Sequence, residues 1–188
     1  MKHLNNYITE YIIKKKLDKP IYSGTPILYT PKNNGELADL IIKLLKDNET
    51  NLNCIDVSNV RVMQNLFDYV NNDVIVDDSI DISEWDVSNV INTKYMFNEC
   101  ENFNCNLSKW DVSKVKNSEF MFSKCEKFDC DLSNWGVSNI TDMSFMFDGC
   151  SNFTGKNLEK WKLNEYVNID YMFSECDKMK NKPSWYKE

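Results

Sequence analysis

Apolar residues return to the same places every 25 residues through the last three quarters of the chain. Read from Leu107, the unit runs Leu-Ser-Lys-Trp-Asp-Val-Ser-Lys-Val, then Phe120-Met121-Phe122, then Cys125 and Phe128, and Leu132 and Trp135 begin it again. A unit this short closes no core of its own and has to stack on its neighbours, so the pattern predicts a solenoid. The Leu-x-x-apolar signature recurs at Leu52/Ile55, Ile82/Trp85, Leu107/Trp110, Leu132/Trp135 and Leu158/Trp161. Each signature is followed by an x-Val-x-x-apolar tail, as in Val87/Val90 and Val112/Val115, and then by an apolar pair such as Met96-Phe97 or Met121-Phe122. The fifth copy is degenerate, and Pro183-Ser184-Trp185 reads as the abortive start of another. The step from Ile55 to Trp85 is longer than the others, which predicts an insertion of about five residues within Asn71–Ser79.

Within each unit, Trp-x-Val-x-x-Val alternates apolar and polar positions as a strand does. The stretch up to Met-Phe and Cys suits one or two helical turns. The expected class is therefore α/β, a leucine-rich-repeat-like solenoid with parallel strands and an α-helical N-terminal cap. Residues 1–50 do not carry the repeat. Leu4, Tyr7, Ile8, Tyr11, Ile12 and Leu17 predict a first helix near residues 3–17, ended by Pro20. Ile27-Leu28-Tyr29 reads as a short extended piece. Leu37, Leu40, Ile41, Leu44 and Leu45 predict an amphipathic helix over Gly35–Lys46, with Asn33 or Asn34 as its N-cap. The division is thus a helical cap over residues 1–50 and about five repeats over residues 51–188.

Trp85-Asp86-Val87-Ser88-Asn89-Val90, followed by Tyr95-Met96-Phe97 and then Cys100 and Phe103, resembles the BspA-like bacterial surface-protein repeat. The resemblance covers residues 52–180 or so. It implies a leucine-rich-repeat-like solenoid and brings no catalytic residues. That family includes surface lipoproteins, adhesins and phage or mobile-element proteins. The N-terminal stretch is similar to the entry region of intracellular and phage-encoded members.

Charge and composition narrow the function classes. The net charge is -7, from 22 basic and 29 acidic residues, which disfavours a direct nucleic-acid binder. Lys14-Lys15-Lys16 reads as a solvated helix face. Asn5, Asn6 and Glu10 interrupt any signal-peptide core, and no stretch approaches the ~20 apolar residues of a membrane span. A cytoplasmic protein is expected, in the host cytoplasm if phage-encoded. Of the seven cysteines, Cys100, Cys125, Cys150 and Cys176 share one repeat position and Cys105 and Cys130 a second, with Cys54 apart. Such columns predict buried free thiols. Their spacing gives a row of sulfurs with no converging ligand set, so no metal and no cofactor are expected.

The only histidine, His3, falls in the cap, far in sequence from the repeat serines and cysteines, so nucleophilic catalysis has no visible machinery. A non-enzymatic protein-interaction module is the expected function. Candidate contact residues are the outward positions Asp56, Asp86, Asp111, Ser113, Lys114, Ser138 and Lys162, with Asp73, Asp77 and Asp78 of the insertion as a second group. The competing reading of the Asp and Ser columns is that they satisfy nearby backbone groups. The expected partner is another protein. Alternative roles are a phage or mobile-element inhibitor of host defence, such as an anti-CRISPR protein that occludes a nuclease, and an adhesin-like surface protein. An uncapped C-terminal end after Trp185 allows a homodimer through that end.

Overall fold

The computed structural model describes residues 27–187. The expected first helix, the Lys14–Lys16 cluster and His3 lie outside the described residues. Within them, α1 spans Asn34–Lys46 and α2 spans Leu66–Asn71, and two single-turn 3-10 segments occur at Leu52–Cys54 and Leu158–Lys160. The side chain of Asn33 caps α1 by accepting from the Glu36 N–H. The apolar face of α1 buries Leu37, Ala38, Ile41 and Leu44.

The expected α/β class with parallel strands is overturned. Among the described residues no strand forms. The parallel pairings are single residues: Val62 with Asn92, Asn92 with Asn117, Asn117 with Asp142, and Asp142 with Asn168. The physical reason is legible in the spacing of three between apolar residues. Trp85 N–H donates to Ile82, Val90 to Val87, Met96 to Thr93, Cys100 to Phe97 and Phe103 to Cys100. These are i to i+3 turn bonds, and the same set returns at Trp110, Val115, Met121, Cys125 and Phe128. Leu-x-x-Trp, Val-x-x-Val and Phe-x-x-Cys-x-x-Phe therefore mark the two ends of successive turns, both pointing inward. The alternation read as a strand is the edge of a polygon of turns. Asx turns sharpen its corners: Asp81 accepts from the Ser83 N–H, Asp86 from Ser88 and Asn92 from Lys94.

Each coil stacks on the next in register. Phe67, Phe97, Phe122, Phe147 and Phe173 form one ladder, with centroids 4.9, 5.4, 5.6 and 5.8 Å apart along it. Phe103, Phe128 and Phe153 form a parallel one. The indole N–H of Trp85, Trp110, Trp135, Trp161 and Trp185 each donates to a carbonyl of the preceding coil, from Leu52, Ile82, Leu107, Leu132 and Leu158 respectively. Trp185 thus completes the tryptophan column, and Tyr186 lies edge-on against Phe173 at 5.0 Å. These two residues cover the core at the C-terminal end.

The insertion falls where the pairings change register, between Phe67, bonded to Met96, and Asp77, paired with Asn102. Helix α2 keeps the register of the next coil, with Asn71 Nδ2 donating to the Glu99 carbonyl, and the extra residues follow it, between Asn71 and Asp77, where the Val76 N–H donates to Asn71 Oδ1; α1 packs on the helical corner that α2 forms. On the other side of that coil, Leu28 N–H donates to the Cys54 carbonyl and Tyr29 pairs with Ile55, so the Ile27–Tyr29 segment lies along the first coil.

The tryptophan column generates a stability prediction. Replacing Trp135 with Phe keeps an aromatic ring but leaves the buried Leu107 carbonyl without its indole donor. The Leu107 carbonyl keeps its bond from the Trp110 N–H, so the expected loss is that of one hydrogen bond, ~0.5–1.5 kcal/mol, read as a lower denaturant midpoint. An unchanged midpoint contradicts the role given to the column.

Candidate functional site

The surface is as periodic as the core. In each coil the third residue of the Thr93–Met96 type of turn has a positive φ: Tyr95 at 55°, Phe120 at 54°, Phe145 at 56° and Tyr171 at 53°. This position ordinarily goes to Gly or Asn, and in the first coil it is Asn65, at 57°. The four rings project outward and stack on one another, with centroid distances of 4.9, 4.5 and 4.9 Å. Tyr95, Phe120 and Phe145 are half-buried, and Tyr171, at the end, is 64% exposed. A left-handed conformation costs an L residue ~1–2 kcal/mol, and an aromatic pair returns ~0.5–1.5 kcal/mol. The two are of the same size, so the ridge adds little net stability.

The expected contact residues occupy other corners of the coil. Asp56, Asp86 and Asp111 each accept from the N–H of Ser58, Ser88 and Ser113, and Asp56 also accepts from the Ser58 hydroxyl. Asp77 accepts from both groups of Ser79 in the same way. The Asp and Ser columns therefore build Asx turns, with their outer edges still facing solvent. Gly136 and Lys162 break the Asp column. Lys114 reaches Asn89 of the preceding coil, and Ser138 and Lys162 are exposed. Asp73 pairs with Lys46 of α1 at 3.7 Å, and Asp78 is exposed. The Asp56–Asp86–Asp111 edge and the Asp73, Asp77 and Asp78 group sit at different corners. Between them lie cross-coil ion pairs, Lys109 with Glu84, Lys124 with Glu99 and Lys94 with Glu119.

Hydrogen bonds from Ser113 hold the Asp111 carboxyl below the usual carboxylate range, and bonds from Ser79 and Ser133 do the same for Asp77 and Asp131. The thiols move the other way. Burial pushes Cys54 up to about 11 and Cys105 and Cys176 up to about 12, and it raises Cys100, Cys125 and Cys150 as well. Cys125, Cys150 and Cys176 direct their sulfurs at the carbonyls of Phe97, Phe122 and Phe147 in the preceding coil. All seven cysteines are free. Protonated thiols of this kind are poor nucleophiles. Among the described residues no group of three or more His, Cys, Asp or Glu is gathered as a metal site, and no helix is long and apolar enough to cross a membrane.

The outer aromatic ridge is the feature that sequence reasoning passed over. Its signal is present: an aromatic residue precedes Met-Phe in Tyr95-Met96-Phe97, Phe120-Met121-Phe122, Phe145-Met146-Phe147 and Tyr171-Met172-Phe173. Residues 69–186 match the family described as Mycoplasma protein of unknown function, DUF285. No curated protein and no solved structure matches the chain.

The Asx corners generate a pH prediction. A carboxyl whose value is lowered by folding stabilises the fold above its unfolded value of ~3.9, and that contribution is lost as pH falls through the lowered one. The melting temperature should therefore decline below about pH 4. Asp111→Asn, which keeps the Oδ1 acceptor, should flatten part of that decline and cost less at pH 7 than Asp111→Ala. Equal cost for the two variants contradicts the Asx-turn role.

Proposed function

We propose that this chain, which belongs to the DUF285 family of Mycoplasma proteins of unknown function, is a non-enzymatic protein-interaction module that presents a rigid periodic surface to another protein. Its coils are of the BspA-like kind, on the Trp-Asp-Val-Ser-Asn-Val and Met-Phe-x-x-Cys-x-x-Phe signatures quoted above.

The observation that carries the reading is the outer ridge of Tyr95, Phe120, Phe145 and Tyr171. Bulky residues are held there at a positive φ that Asn65 occupies without a ring in the first coil. Backbone strain that packing does not need is a signature of functional surfaces. Half-buried aromatic rings on a fixed frame make contact area at little cost in side-chain entropy. The Asp and Ser corners beside the ridge supply a polar rim, in which Asp56, Asp86, Asp111, Ser113, Lys114, Ser138 and Lys162 set charge complementarity. The Asp73, Asp77 and Asp78 corner is a second such patch.

The test is retention of partners by the tagged full chain from a lysate of its host cells, with and without nuclease. The same protein should be retained in both arms. Replacing Phe120 and Phe145 together with Asn, which suits the left-handed backbone, should reduce retention about tenfold while the far-ultraviolet spectrum stays unchanged. Retention that vanishes with nuclease, or that ignores the double variant, overturns the reading.

A further inference from the structure

The outer aromatic ridge has flanks as regular as itself. Tyr95, Phe120 and Phe145 are half-buried and stack at 4.9 and 4.5 Å, with successive planes 9° and 3° apart. Phe120 and Phe145 are covered on both faces by neighbouring rings. The ridge therefore offers a line of ring edges. A nucleobase, which binds by stacking on a free ring face, finds none between these rings. Apolar side chains pack on such edges without needing a face.

Carboxylates outnumber lysines on both flanks. On one, Lys94 pairs with Glu119 and lies over the Tyr95 ring at 5.1 Å, and Asp142 adds its charge from the next coil. On the other, Lys124 pairs with Glu99 at 2.6 Å, and Asp148 and Glu101 lie close enough to act on it. Both lysines are thus engaged. Asp142 and Asp148 stand three residues to either side of Phe145, and among the described residues neither makes an ion pair. Asp142 Oδ1 accepts from the N–H and the hydroxyl of Ser144, which fixes the carboxylate and leaves its charge in place.

We infer that this ridge docks an amphipathic α-helix of a partner protein, one whose apolar stripe is bordered on both sides by lysine or arginine. The inference rests on the interaction-module reading and names the chemistry of the partner.

Spacing selects the helix. Helical turns repeat every ~5.4 Å, so a tilt of roughly 25–30° to the ridge brings one apolar side chain per turn to each ring. Same-face residues of a strand are about 6.7 Å apart and need a tilt of roughly 45°. Over three rings that tilt carries the strand roughly 9 Å sideways, against roughly 5 Å for the helix. Charge selects the borders of the stripe. Excess carboxylate on both flanks attracts basic side chains on both sides and repels acidic ones. A second copy of this chain set ridge to ridge brings the same carboxylates and is repelled.

The probe is an acetylated and amidated peptide of about 18 leucine and lysine residues, with the leucines on one face at helical spacing. One control shuffles the leucines off the stripe, and another replaces every lysine with glutamate. Titrated into the full chain at low salt, the lysine peptide should shift the amide resonances of Tyr95, Phe120 and Phe145 and gain helical circular dichroism. Neither control should do so. Asp142→Asn together with Asp148→Asn keeps the Oδ1 acceptor for Ser144 and should weaken binding roughly three- to tenfold. Added salt should narrow that difference. Phe120→Asn together with Phe145→Asn should weaken binding about tenfold or more. Equal binding by either control, shifts centred on other columns, or an affinity indifferent to Asp142 and Asp148 would overturn the inference. If a lysate protein is retained through Phe120 and Phe145 while the lysine peptide does not bind, this inference falls and the module reading stands. If neither is held, both fall.

Discussion

Every coil of this protein must find partners for its backbone polar groups without a strand or a long helix to provide them. It does so in two ways, by turn bonds within the coil and by donors aimed at the next coil. The constraint is strict because the interior is apolar, so an unpaired amide there costs as much as a lost hydrogen bond. The tryptophan column shows the same constraint in side-chain form. An indole nitrogen is buried only because the preceding coil holds a carbonyl where it can reach. The cysteine column follows the same rule with a weaker donor. Registry between coils is therefore fixed by polar geometry as much as by the stacking of Phe97, Phe122 and Phe147.

The same registry builds the surface. Because each turn repeats at the same height, whatever occupies its third residue repeats as a vertical line. Where that residue is aromatic, the line is a ridge. Where it is Glu99, Lys124, Gly149 and Glu175, the line is a mixed-charge strip with a Lys124–Glu99 pair across coils. Exposed ion pairs of this kind contribute ~0–1 kcal/mol each, so they trim the register and do not set it. The functional reading draws on this division: the core fixes positions, and the outer corners are free to vary in chemistry.

Much of this was legible in the chain. The 25-residue period, the inward columns of Trp, Val, Phe and Cys, the α1 boundaries with an Asn cap, and the place of the insertion all follow from spacing. The strand assignment did not hold, because Val87 and Val90 are three residues apart, and three is the reach of a turn bond as well as a break in alternation. Distinguishing the two needs the Asx chemistry of Asp86 and Ser88 to be read as a corner. The outer ridge was hidden for a different reason. Tyr95 and Phe120 adjoin Met96 and Met121, so the run looks uniformly apolar. Only a positive φ at the first residue turns it away from the core.

Backbone amide exchange in the free full chain tests the central claim most directly. If the coils are held by donors aimed at the next coil, the amides of Phe97, Phe122 and Phe147 exchange slowly and those of Tyr95, Phe120 and Phe145 are protected as well. No protection at Phe122 and Phe147, or rapid exchange at Phe120 and Phe145, would contradict the account.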